Sequence, residues 1–300
     1  MLALTILGNN SAIPSHGRHP TAQILQTQDE NYLIDCGEGT QMQLSAYKIK
    51  KSKINKIFIS HLHGDHYFGL IGLITSMALL GRITDLHIYA PTLLEKIIQV
   101  HLDAATTVLP YKIYFHAITA AGEIANDERL RVQAFKVSHR IECYGFLFTE
   151  IKNPRSIVPE LVKAYEIPEA YYSALQKGKD YTTKKGTTIK NSDVTIAATK
   201  PKSYAYCADT IFDETIAQNI LHVDLMYHET TYLKDLAQRA ADRHHSTTLQ
   251  AGKLAKLAFA KKLIIGHFSS KYDTLDLFLE ETKTEFENTE LALEGVCFSI

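Results

Sequence analysis

Apolar residues along this chain fall into two rhythms. The first is a series of short runs bounded by Gly, Asn, Asp or Pro: "ALTIL", "TAQILQT", "NYLID", "KIFIS", "DLHIYA", "LRVQAFKVSH" and "YGFLFTE". Runs of this length, rich in β-branched and aromatic residues, predict strands. The second rhythm places apolar residues three and four apart, as in "EGTQMQLSAYKI" and "TLLEKIIQVHL", and predicts helices. The later half repeats the style. "DVTIAAT", "SYAYCAD", "HVDLMYHE", "KLIIGH" and "GVCFSI" read as strands. "STTLQAGKLAKLAFAK", with Ser246 as its cap, and "DTLDLFLEETKTEF" read as helices. Each half thus predicts a mixed sheet with helices, and together they predict two packed sheets with helices outside.

Residues 152–202 break the pattern. They carry ten Lys or Arg against five acidic residues and no sustained strand. Lys177, Lys179, Lys184, Lys185 and Lys190 lie near Tyr171, Tyr172 and Tyr181. The segment reads as an inserted basic arm, able to grip phosphates, with tyrosines for stacking. The rest of the chain needs such a local patch if it is to meet a polyanion, because the formal net charge is only −1. Four cysteines without Cys-x-x-Cys spacing read as reduced, mostly buried thiols of a cytoplasmic protein. The N-terminus lacks the features of a secretory signal, and no apolar run reaches membrane-spanning length.

The candidate chemistry begins after "KIFIS". The next residues, "HLHGDH", place His61, His63, Asp65 and His66 within six positions. A strand running into a loop delivers side chains to one end of a sheet. His61 and His63, two apart, would share a side, and Gly64 permits a turn that brings in Asp65 and His66. Imidazole and carboxylate suit Zn²⁺ and similar metals. Three further polar residues end apolar runs: His139 in "KVSH", Asp209 in "CAD" and His267 in "IIGH". Seven ligands divide naturally between two ions. His61, His63 and His139 would hold one, and Asp65, His66 and His267 the other, with Asp209 bridging. Ions in such sites lie about 3.5–4 Å apart and acidify a shared water. The Gly-containing apolar stretch "YFGLIGLITSMALL" would be a helix packed behind the loop.

This motif with its three downstream partners resembles the metallo-β-lactamase fold superfamily. "LIDCGEGTQ", "CADT", "HETTYL" and "HHSTT" narrow the resemblance to the ribonuclease Z family, in order and spacing, over almost the whole chain. The resemblance implies a single αββα sandwich over residues 1–300, with the segment 152–202 as an arm that clamps tRNA. It implies two Zn²⁺ ions per subunit, held by the seven residues above. It implies an endoribonuclease that removes 3′ trailers from precursor tRNA, acting as a cytoplasmic homodimer with neither membrane nor DNA as partner. Asp65 matches a residue given a base-like role toward the attacking water. His245 matches the acid that protonates the leaving 3′ oxygen, and Glu229 the carboxylate that orients it. The loop Pro14-Ser15-His16-Gly17-Arg18-His19 departs from the family's Pro-x-Lys-x-Arg-Asn, and the arm lacks the usual Gly-Pro pair. Ser11, Arg18 and Thr40 are candidates for substrate contact, as are Lys177, Lys179, Lys184 and Lys185. The competing reading is a phosphodiesterase or sulfatase-type hydrolase of a small ester, because fold and metal do not fix a substrate.

Overall fold

The computed structural model describes residues 2–151, 154–198 and 200–300. It divides into two compact units, Met1–Thr149 with Lys202–Ile300, and Glu150–Pro201.

The larger unit contains two seven-stranded sheets. The first runs in the order Cys297–Ser299, Ala3–Gly8, Ala22–Gln26, Asn31–Ile34, Ile54–Phe58, Leu86–Ala90, Ile113–Ala117. Its first three pairings are antiparallel and its last three parallel. The second runs Thr289–Leu291, Leu263–Gly266, Leu225–Glu229, Ser203–Cys207, Tyr144–Glu150, Leu130–Lys136, Gly122–Asn126. The three parallel pairings there lie at the opposite edge from the hairpin Gly122–Lys136.

Strand alternation explains the layers. In Asn31–Ile34, Tyr32 and Ile34 join the core between the sheets, while Leu33 joins a second core beneath the helices. Both faces of that strand are buried, so it reads as a continuous apolar run. Between the sheets, Phe58 meets Phe148 edge-on at 5.2 Å and stacks on Tyr89 at 4.8 Å. On the outer face of the first sheet, Ile24, Leu33, Ile57 and Ile88 pack against Leu44, Leu73, Ile74 and Leu94 of three helices. On the second sheet, Ile264 shares a core with Leu254 and Phe278 of the helices Thr248–Leu257 and Asp276–Glu285. The order of layers is helix, sheet, sheet, helix, as the sequence predicts.

Two local expectations are corrected, and two edge strands are new. Thr247, not Ser246, caps the helix Thr248–Leu257, in a reciprocal capping box with Gln250. Ser246 is instead buried, its hydroxyl donating to Thr210 O at 2.8 Å. "DVTIAAT" is not a strand of the sheet. Asn191–Val194 form a helical turn and only Thr195–Ile196 are extended, because Asn191 donates to Leu175 O and Lys179 O while Thr195 Oγ1 donates to Asn191 O. The edge strands Ile113–Ala117 and Gly122–Asn126 have no counterpart in the apolar pattern, because most of their residues are not buried.

The smaller unit has its own core of Val162, Ile167, Leu175, Ile189 and Val194. Tyr171, Tyr172 and Tyr181 pack half-buried against it, and Tyr171 meets Tyr181 edge-on at 4.9 Å. Those rings serve the core and are not the open stacking surfaces their spacing suggests. Lys177, Lys179, Lys184 and Lys185 are exposed. Cys36, Cys143 and Cys207 are buried free thiols, and Cys297 is exposed.

Candidate metal centre

The strand Ile54–Phe58 ends where the loop carrying His61 and His63 begins, and a helical turn, Gly64–Tyr67, presents Asp65 and His66. The loop is braced from behind. Cys36 N donates to His66 O at 2.7 Å, and Gly69 N donates to Cys36 O at 2.9 Å. A Cβ on Gly69 would stand 2.1 Å from Gly37 O, so only glycine lets the two segments close on each other. The helix Leu70–Leu79 then buries Leu70, Leu73, Ile74 and Met77.

The seven side chains converge from four stretches of the chain. His61 Nε2 lies 3.0 Å from His63 Nδ1, which lies 3.1 Å from His139 Nε2. Asp209 Oδ2 faces this trio, 3.7 Å from His61 Nε2 and 3.9 Å from His139 Nε2. Its other oxygen, Oδ1, faces a second group, 3.5 Å from His66 Nε2 and 3.2 Å from His267 Nε2. Asp65 Oδ2 completes that group at 3.7 Å and 3.4 Å from the same two nitrogens. One carboxylate thus stands between two clusters with an oxygen toward each.

The outward ring nitrogens have protein partners, which fixes the tautomers. His66 Nδ1–H donates to Asp35 Oδ2 at 2.7 Å. His61 Nδ1–H donates to Ser60 Oγ at 3.0 Å, and Ser60 Oγ–H donates to Asp35 Oδ2 at 2.8 Å. His139 Nδ1–H donates to His244 O at 2.9 Å. His267 Nδ1–H donates to Thr231 Oγ1 at 2.9 Å, and that hydroxyl donates to Glu229 Oε2 at 2.8 Å. The Nε2 atoms of these four rings are therefore the positions aimed inward, where a metal ion would meet them. Ring nitrogens of His61 and His139 each stand about 3 Å from His63 Nδ1, close enough for one cation to take all three. Asp209 Oδ1 is buried without a hydrogen bond. The donor set fits metal ions.

Titration behaviour agrees. Burial holds His61 well below its ordinary value and pushes His139 down to about 4, against the pull of Asp209. Neutral imidazole is the form that ligates. Burial alone would lower His66 too, but Asp209, Asp35 and Asp65 outweigh it and hold it well above. That excess of carboxylate is a deficit of positive charge.

Next to the clusters, His245 Nδ1 lies 3.1 Å from Glu229 Oε1 and 3.9 Å from Asp209 Oδ2. Burial would lower His245, but Glu229 dominates and pushes it up to about 9. Glu229 is itself fixed by the amides of Thr231 at 2.9 Å and Ser246 at 2.8 Å. The adjacent His244 differs in role, since its backbone oxygen holds His139.

The remaining expected residues are not among the clustered side chains. Arg18 is occupied by the protein, donating to Asn10 Oδ1 at 3.0 Å and to the carbonyls of Asp273 at 2.9 Å and Tyr272 at 2.5 Å. Thr40 is buried and donates to Gly37 O at 2.7 Å. Ser11 is buried, its amide on Phe268 O. Lys177, Lys179, Lys184 and Lys185 belong to the smaller unit. Asp35, Ser60 and Thr231, outside the expected set, orient the ligand histidines. Asp65 also accepts from Ala12 N at 2.7 Å.

Comparison with known proteins agrees with this architecture. Residues 2–156 match the family described as anti-Pycsar protein Apyc1. A ribonuclease Z of Bacteroides fragilis is 40% identical over 299 residues, 99% of this chain and 98% of that protein. Among solved structures, the short form of human tRNase Z is 27% identical, with 99% of each chain covered and a TM-score of 0.73. A metallo-β-lactamase fold protein of Bacillus subtilis is 19% identical, covers all of both chains and has a TM-score of 0.70, a likeness of fold.

Proposed function

The chain belongs to the ribonuclease Z family, with residues 2–156 also falling in the Apyc1 family, and from that premise we propose that it is a metal-dependent endoribonuclease removing 3′ trailers from precursor tRNA. The observation that carries the reading is Asp209, standing with one oxygen toward each of two histidine clusters beside an acid-ready His245. We assign two Zn²⁺ ions per subunit, one to His61, His63 and His139, one to Asp65, His66 and His267, with Asp209 shared. Bound there, the ions would neutralise phosphate oxygens and lower the pKa of water.

The chain's own residues supply the rest. Asp65, which accepts from Ala12 N and faces His267, would take a proton from the attacking water. Water oxygen bonds to phosphorus as the bond from phosphorus to the 3′ oxygen breaks. His245 gives its proton to that oxygen, and Glu229 stabilises the charged ring until then. The products are a 3′-hydroxyl on the tRNA and a 5′-phosphate on the trailer. Lys177, Lys179, Lys184 and Lys185 of the 150–201 unit would hold RNA phosphates. Exposed Met42, Leu79 and Leu80 line one groove and offer an apolar face for a homodimer. A cytoplasmic location follows from the substrate.

A second reading rests on the chemistry alone: the same cluster would serve to hydrolyse a small phosphate or sulfate ester, because fold and metal do not fix a substrate. One experiment separates the two: metal-loaded protein incubated with a precursor tRNA and with bis(p-nitrophenyl) phosphate. Trailer release, abolished by chelator and by His63→Ala, is expected. Intact RNA beside turnover of the small ester would favour the second reading.

A further inference from the structure

A second basic feature lies outside both the metal centre and the 150–201 unit. The segment "KIKKSK" places Lys48, Lys50, Lys51 and Lys53 within six residues, directly before the strand Ile54–Phe58. That strand runs from these lysines toward the histidine loop. Five residues of strand span about 17 Å, so the lysines sit at the opposite end of the sheet from the metals.

Three of them, Lys48, Lys50 and Lys53, line a cavity of about 450 Å³ together with Gln26 and Asn31. That volume suits a small ligand. Among the described residues no carboxylate lies within ion-pair distance of Lys48, Lys50, Lys51 or Lys53. Nearby carboxylates are already committed. Asp29 binds Arg129 at 2.7 Å, Glu30 binds Lys56 at 2.9 Å, and Glu294 accepts from Gln43 at 2.7 Å. Lys51 and Lys53 donate to neutral acceptors, Ser45 Oγ at 2.6 Å and Gln28 O at 3.1 Å. The cavity also holds neutral donors. Gln26 accepts from Thr5 Oγ1 through Oε1 at 3.0 Å, which leaves its amide nitrogen to donate.

Lys48 carries a further sign. It follows the helix Thr40–Ala46 in the left-handed conformation, φ 56°, where glycine or asparagine is the low-strain choice. A lysine near a helix C-terminus answers the helix dipole, which accounts for one cation and not four.

We propose that the Lys48–Lys53 cavity is a second anion site that takes a phosphate group, carried either by RNA or by a free nucleotide. The RNA source rests on the ribonuclease reading; the phosphate chemistry does not. The test uses full-length, metal-loaded protein and the triple variant Lys48→Gln, Lys50→Gln, Lys53→Gln, with mature tRNA and AMP as probes. Mature tRNA carries no trailer, so binding is read without cleavage. If RNA occupies the site, the slope of log affinity against log salt should become shallower by about 0.7–0.9 in the variant, the contribution of one phosphate contact. If a free nucleotide occupies it, calorimetry should show AMP bound by the parent and not by the variant. Turnover of bis(p-nitrophenyl) phosphate should be unchanged in both, which reports an intact fold. Lys48→Gly removes strain and charge together, so it should weaken phosphate binding without lowering the melting temperature. Parent and triple variant indistinguishable with both probes would overturn the proposal, and would leave trailer cleavage untouched as a separate result.

Discussion

Asp35 joins the two metal clusters from behind. It accepts directly from His66 and, through Ser60, serves His61, while Tyr206 donates to it at 2.5 Å. A carboxylate in that place sets both tautomers and raises the basicity of the inward nitrogens. Asp35→Asn is predicted to keep the fold but weaken metal affinity about 10–100-fold, read by competition with a chromogenic chelator. Unchanged affinity would show that Ser60 and Tyr206 suffice. The residue was within reach of sequence reasoning. It ends the apolar run "NYLID", and the same rule picked out His139, Asp209 and His267. Thr231 was not, because nothing in "HETT" reveals that its hydroxyl links His267 to Glu229. Arg18 shows the converse, a charged residue that suits a substrate phosphate but is consumed by the carbonyls of a neighbouring loop.

At the scale of elements, buried strands and long helices were legible from period and composition. Layer order followed, because two mixed sheets with apolar helices have few ways to bury both faces. Strand order was not legible, since Cys297–Ser299 pairs with Ala3–Gly8 across nearly the whole chain. The exposed edge strands gave no apolar signal. The contact between the "DCGEGT" turn and the histidine-loop helix is the joint on which the site depends. Gly69→Ala would drive a methyl into Gly37 O, and is predicted to cost about 1–3 kcal/mol in urea unfolding. Stability equal to the parent would mean that the two segments part easily. The smaller unit leaves the sheet at a defined place, because Thr149 and Ser203 are direct partners across antiparallel strands. Replacing residues 152–200 by a short Gly-Ser linker should therefore preserve the sheet. The predicted outcome is a loss of at least about tenfold in kcat/KM on precursor tRNA, with turnover of a small phosphodiester retained. Equal loss on both substrates would make the unit a structural prop.

At the scale of the molecule, the formal charge is nearly balanced and basic character is local, in the 150–201 unit and the Lys48–Lys53 segment. Stability has its own charged joint. Lys56 pairs with Glu30 and Asp127, each at 2.9 Å. Burial would raise both carboxyls, but Lys56, with the amides of Leu130 and Arg129 for Asp127, holds them below their ordinary values. Stabilisation from such groups is complete above the unfolded value, about pH 4, and disappears as pH falls through the lower folded values. The melting temperature of a Lys56→Met variant should accordingly fall less steeply with acid below pH 4 than that of the parent; parallel curves would contradict this. The ends of the RNA products test the chemistry at the paired clusters most directly. One precursor tRNA, cleaved by the metal-loaded protein, should yield a tRNA ending in a 3′-hydroxyl and a trailer beginning with a 5′-phosphate. A 2′,3′-cyclic phosphate on the tRNA with a 5′-hydroxyl on the trailer would mean attack by the ribose rather than by water, and would contradict the roles given to Asp65 and His245.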